Sequence, residues 1–134
     1  SVDLSAVPGC VYTDPEIASV GMTEDEAKEK GLEIKTGKFI MSANGKSLIT
    51  KEERGFIKIL AEKETDVIVG AQMMCARATD MIGELVTAIA NRMTVRQLLR
   101  GMRAHPTYNE GVQEALEELL GGAVHVMPKK KPAK

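Results

Sequence analysis

The chain has 134 residues, 43% of them apolar, which is enough for one compact domain with a core and too short for two. With 18 Lys and Arg against 19 Asp and Glu, the net charge of -1 excludes the strong field of a nucleic-acid binder or of a protein held to an anionic membrane. The two cysteines, Cys10 and Cys75, form neither a disulfide framework nor a C-x-x-C pair, so a reducing compartment, the cytoplasm, is expected. No apolar run approaches the roughly 20 residues that span a bilayer, and the start at Ser1-Val2-Asp3-Leu4 lacks a basic and an apolar leader region. The chain does not begin with Met, which fits a processed chain or an excised piece of a longer one.

Two extended pieces are predicted around Cys10-Val11-Tyr12-Thr13 and Ile17 to Met22, separated by Pro15, which disfavours helix through Asp14. Thr23-Glu24-Asp25-Glu26 has capping-box spacing and opens a helix to about Lys30, closed by a left-handed Gly31. Leu32 to Met41 reads as a strand with a bulge at Gly37. The polar stretch Ser42 to Arg54 has room for a helical turn over Ser47 to Lys51. Gly55 to Ala61 and Val67 to Met74, rich in branched residues and joined through Glu62 to Asp66, form a hairpin.

Met81, Ile82, Leu85, Val86, Ile89 and Met93 recur at steps of three and four, which predicts a helix over Arg77 to Arg92 lying across the sheet. Thr94 caps a shorter helix ended by Gly101. After a loop holding His105 and Pro106, Thr107-Tyr108-Asn109-Glu110 repeats the capping-box spacing. Tyr108, Val112, Leu116 and Leu119 then give the last helix its apolar face, up to Gly121-Gly122. The expected organisation is one domain over residues 1–127 and a basic, frayed tail over 128–134. Its class is α+β, an antiparallel sheet packed with helices. No G-x-G-x-x-G or Walker loop is present, so the chain has no phosphate cradle of its own.

The strongest chemical constellation is Ala104-His105-Pro106-Thr107-Tyr108-Asn109-Glu110. Pro106 fixes its own φ and restricts His105, so a Glu110 carboxylate can hold one ring nitrogen and leave the other for proton transfer. On spacing alone a second reading stands beside it, in which Glu110 only closes a capping box and His105 is a surface loop residue. His125 reads as incidental. A zinc site from His105, Glu110 and His125 would require a helix's length to fold back, so no metal is expected. Ser19, Ser42 and Ser47 have no nucleophile elbow, and Cys10 and Cys75 sit in apolar strand contexts that favour inert thiols. Any group that exchanges a proton with His105 therefore comes from elsewhere.

Val11-Tyr12-Thr13-Asp14-Pro15-Glu16-Ile17-Ala18-Ser19-Val20-Gly21-Met22-Thr23-Glu24, Gly55-Phe56-Ile57-Lys58, Val69-Gly70-Ala71, Met81-Ile82-Gly83-Glu84 and His105-Pro106-Thr107-Tyr108-Asn109-Glu110 occur in one order. In that order they resemble the C-terminal interface (dimerisation) domain of the pyridine nucleotide-disulfide oxidoreductases, dihydrolipoamide dehydrogenases above all, over about Val7 to Leu120. Cys75 stands where Gly is frequent in that family, Asp80 where Glu is frequent, and Tyr108-Asn109 where Leu-Ser is usual.

The resemblance implies a homodimer in which the His of H-P-T-x-x-E reaches the disulfide and FAD site of the partner subunit. His105 would then be the acid–base group toward a thiol, with Glu110 orienting it. The His105–Pro106 bond would be cis, and His105 and Pro106 would face the partner's flavin. FAD and NAD would belong to the full-length parent and not to this chain, which is expected to be inactive alone and to expose apolar surface that other domains cover. Lipoyl domains of 2-oxo acid dehydrogenase complexes would be the parent's partners. Two further readings stand: a stand-alone, non-catalytic homodimeric module, and the same domain from a mercuric or glutathione reductase. A small hydrolase built on His105 and Glu110 lacks a nucleophile and an oxyanion loop.

Overall fold

A computed structural model describes residues 4–121. The tail 128–134 and His125 lie outside them. Five strands form one sheet: β1 (Gly9–Val11), β2 (Glu16–Gly21), β3 (Ile34–Ile40), β4 (Phe56–Glu62) and β5 (Ile68–Cys75). Their order is β1-β2-β5-β4-β3, with every neighbouring pair antiparallel. Among the described residues there are also five α-helices: α1 (Glu24–Glu29), α2 (Gly45–Thr50), α3 (Ala78–Ala90), α4 (Val95–Leu99) and α5 (Glu110–Leu119). The expected α+β class is the one observed.

The local signals act as their chemistry requires. Thr23 and Thr94 both close reciprocal capping boxes, with Glu26 and Gln97, so two helix starts are satisfied without tertiary help. Gly31 takes the left-handed conformation behind α1, at φ +67°. The β4–β5 hairpin forms at the expected place, and its one irregularity falls between Leu60 and Ala61.

Two expectations are corrected. Gly37 is not a bulge, because β3 pairs with β4 without interruption and Gly37 sits opposite Ile59. It is glycine because α5 crosses it: a Cβ there would stand 2.0 Å from the Ala115 carbonyl oxygen. Second, α5 starts at Glu110, with Asn109 as its N-cap, so Tyr108 lies before the helix, from where it still packs against the core.

Helix α3 lies over β2 and β5, and α5 over β3 and β4. Ile82, Leu85, Val112, Ala115 and Leu116 thereby meet Ala18, Val20, Phe39, Ile57, Ile59 and Met73 in one core. Gly70 belongs to the Val69-Gly70-Ala71 motif for a similar reason, since a Cβ there would lie 2.0 Å from the Met22 carbonyl oxygen. On the opposite face the register lines up Val11, Ile17, Met74, Phe56 and Ile40 in one apolar row across all five strands. Val11, Ile17 and Ile40 in that row are 51%, 42% and 49% exposed. The link between α3 and α4 is stitched to the hairpin turn by Ile68 N–H to Met93 C=O at 3.0 Å and Val95 N–H to Asp66 C=O at 2.9 Å. These bonds fix where the loop after α4 departs.

Candidate active site

That loop carries Arg103 to Asn109 to the start of α5, and it brings together the two residues that the sequence pairs. Glu110 accepts the Thr107 backbone N–H through Oε1 at 2.9 Å and the His105 ring through Oε2 at 2.9 Å. The one side chain therefore makes both of the contacts that the two readings invoke. The capping box is only half made, because the Thr107 hydroxyl donates to the Ala104 carbonyl at 2.8 Å instead of accepting from α5.

A carboxylate can only accept, so Nδ1 of His105 donates and the proton sits there. Nε2 is left with its lone pair. The His105 side chain is 77% exposed, so Nε2 is open to a group arriving from outside the domain. The His105–Pro106 bond is cis, as the resemblance implies, and the Asp14–Pro15 bond is cis as well.

The loop is tied to the body of the domain on three sides. Asn44, 3% exposed, caps α2 through Oδ1 and donates from Nδ2 to the Thr107 carbonyl at 3.0 Å. The Tyr108 hydroxyl donates to Glu52 at 2.5 Å and lies 2.7 Å from the Thr50 hydroxyl, which holds the loop against the end of α2. That hydrogen bond lowers the Glu52 pKa, while desolvation, then the Glu52 bond, raises that of Tyr108. On the α3 side, Glu84 pairs with Arg103 and accepts from Asn109 Nδ2 at 3.1 Å. Asn44 and Arg103 lie outside the motifs that the sequence offers, and Glu84 and Asn109 lie inside them without being selected for the site, because their partners are 19 to 63 residues away.

The remaining candidates separate from this site. Cys75 is fully buried and its thiol is pushed up to about 12, chiefly by burial and then by Glu16, which keeps it protonated and inert. Cys10 is half-buried and also free. Ser47 is buried and bonded to Asn44. Among the described residues no group of His, Cys, Asp and Glu is placed to hold a metal. No helix among them is long and apolar enough to cross a membrane.

The antiparallel sheet with two helices crossing one face is the fold of a dimerisation domain of disulfide oxidoreductases. By the family model that matches residues 7–116, the chain belongs to the pyridine nucleotide-disulphide oxidoreductase dimerisation domain family. It is 42% identical over 126 residues to dihydrolipoyl dehydrogenase of Bacillus subtilis, covering 94% of this chain and 27% of that protein. It is 40% identical over 125 residues to the mitochondrial dihydrolipoyl dehydrogenase of Pisum sativum, covering 93% of this chain and 25% of that protein. The chain thus spans about a quarter of the length of these relatives. Among solved structures, LpdA from Mycobacterium tuberculosis superposes with a TM-score of 0.82 at 26% identity, covering 88% of this chain and 26% of that one. The flavoprotein disulfide reductase RclA from Escherichia coli has the same fold, with a TM-score of 0.79 at 24% identity over 83% of this chain and 26% of that one.

Proposed function

We propose that this chain, over residues 1–127, is the dimerisation domain of a dihydrolipoyl dehydrogenase, and that it lends His105 and Glu110 to the disulfide centre of a second subunit. The observation that carries the reading is the polarity of the pair: Nδ1 is held by Glu110 at 2.9 Å while a 77% exposed ring turns Nε2 outward. A base so placed has no substrate within its own domain and suits one presented by a partner. Nε2 takes the proton of a dihydrolipoyl thiol, and the thiolate attacks the disulfide, since only the thiolate is an effective nucleophile. The imidazolium formed is stabilised by Glu110, and it returns the proton to the leaving thiolate. The exposed apolar row on the outer sheet face supports an assembly larger than this domain.

The parent is proposed to use FAD and NAD and to exchange electrons with lipoyl domains, as a homodimer in the cytoplasm. The described residues do not fit a dinucleotide. All five strands are antiparallel, so there is no parallel strand–helix crevice to cradle a pyrophosphate. Both dinucleotides are therefore assigned to other parts of the enzyme, with His105 and Pro106 facing the partner's flavin. The test is His105→Gln in the full-length protein. Turnover of dihydrolipoamide with NAD should fall by about 10²–10⁴-fold, with flavin content unchanged. Unchanged turnover would remove the acid–base role.

A further inference from the structure

The proton transfer leaves Glu84 without a task, although it is the α3 side chain that grips the loop at two points, ahead of His105 and ahead of Glu110. Its Oε1 pairs with the Nη2 of Arg103, whose side chain is only 5% exposed. Its Oε2 accepts from Asn109 Nδ2 at 3.1 Å. Arg103 stands two residues before His105, and Asn109 stands one residue before Glu110.

We propose that Glu84 is a positioning residue for the His105–Glu110 pair: one carboxylate on α3 holds the loop just ahead of each partner, at Arg103 and at Asn109, and so fixes the direction of Nε2. The proposal rests on the acid–base reading above and deepens it. His105 needs such a clamp because its ring, 77% exposed, has no wall of packed side chains to hold it. Its direction is set by Glu110 and by the backbone on either side, which α3 holds at Arg103 and Asn109 while Asn44 and Tyr108 tie the stretch between. Both carboxylate oxygens are engaged, so an amide cannot substitute. A Gln side chain offers one acceptor, and its NH₂ would oppose a donor on Arg103 or on Asn109.

A purely structural reading gives Glu84 one duty, the neutralisation of a buried Arg103. Asn109 separates the two. It makes no capping hydrogen bond to α5, so Asn109→Ala removes the Glu84 contact and leaves both the Arg103 pair and the helix start in place. Glu84→Gln and Asn109→Ala are made in the full-length holoenzyme, each also combined with His105→Gln. The clamp predicts a fall in kcat of about ten- to a hundredfold for each single variant, since misplacement of a catalytic group by about 1 Å can cost about 10²-fold. KM, flavin content and native mass should stay put, and the pH profile of kcat should shift on the limb that His105→Gln abolishes. In the His105→Gln background neither variant should lower turnover further.

If His105→Gln destroys turnover while Asn109→Ala leaves kcat and its pH profile unchanged, the clamp is wrong and the acid–base reading survives. Losses that multiply with His105→Gln also overturn it, because Glu84 would then act elsewhere. If His105→Gln itself leaves turnover intact, the reading beneath the clamp falls and the clamp with it. Should Glu84→Gln fail to fold, Asn109→Ala still decides.

Discussion

Gly37→Ala probes how closely the fold and the site are coupled. The added Cβ would lie 2.0 Å from the Ala115 carbonyl oxygen and 2.8 Å from Leu119 Cγ, where real Cβ contacts below 3.0 Å are essentially never seen. The first obstacle is helix backbone, not a side-chain tip that can rotate away. Restoring 3.0 Å means that α5 backs off the sheet by about 1 Å, and such overpacking costs about 1–3 kcal/mol. The rigid partner favours the upper end of that range. Because α5 begins at Glu110, the same retreat lengthens the 2.9 Å contact to His105, and a shift of that size can cost about 10²-fold in rate.

The assays are urea unfolding of the chain and turnover of the full-length protein. Gly83→Ala is the matched control: it lies inside α3, and a Cβ there meets nothing within 4 Å. It should stabilise by up to about 1 kcal/mol through helix propensity. If Gly37→Ala is as stable as the parent sequence, close approach is not why glycine stands at that position, and the reasoning fails.

Two titrations follow from Cys75 and Tyr108. The Cys75 thiol, ordinarily near 9.0, is pushed up to about 12 by burial, so between those values the unfolded chain binds fewer protons than the folded one. Unfolding free energy should therefore fall as pH rises above about 9, and Cys75→Ala should remove that part of the slope; equal alkaline slopes in the two proteins would contradict it. At pH 8, a thiol reagent should leave Cys75 unlabelled until the chain is unfolded. Of the two tyrosines, Tyr108 should ionise above the ordinary value of 10.0, because desolvation and the bond to Glu52 both oppose the phenolate. Absorbance titration of Tyr108→Phe should lack that late transition, and Glu52→Gln should bring it earlier. A titration unaltered by Glu52→Gln would show that the Tyr108–Glu52 bond does not form in solution.

Legibility from the sequence followed the range of the interaction. Thr23 with Glu26, Thr94 with Gln97, and the β4–β5 hairpin are encoded within a few residues, and each forms where the pattern places it. His105 and Glu110 are five apart, so the pair was readable too. The strand order, which inserts β5 between β2 and β4, is fixed by which faces α3 and α5 cover, and no local spacing carries that. Gly37 was misread for this reason. Within its strand it resembles a bulge, and only the helix that crosses it explains the missing side chain. Asn44 looks like a turn residue until its amide is seen on the Thr107 carbonyl across the loop.

The double use of Glu110 makes the sharpest separation of structure from chemistry available in this domain. Glu110→Gln keeps the side chain's length and one acceptor oxygen. The backbone N–H of Thr107 can only donate, so the amide oxygen must take the Oε1 position, 2.9 Å from that nitrogen. The NH₂ group then falls where Oε2 met the imidazole. Facing that donor at 2.9 Å, Nδ1 gains more by accepting from it than by keeping its longer 3.1 Å bond to the oxygen at the Oε1 position, which favours the tautomer with the ring proton on Nε2. His105 would still be present, still exposed and still hydrogen-bonded, with its lone pair pointing inward. The expected result is an unfolding free energy within about 0.5 kcal/mol of the parent, as for a surface substitution that preserves its bonds, together with a loss of turnover of about 10²-fold or more. Loss of stability without loss of rate would mean that Glu110 is a helix cap alone, and would return the pair to the reading in which His105 is a surface residue.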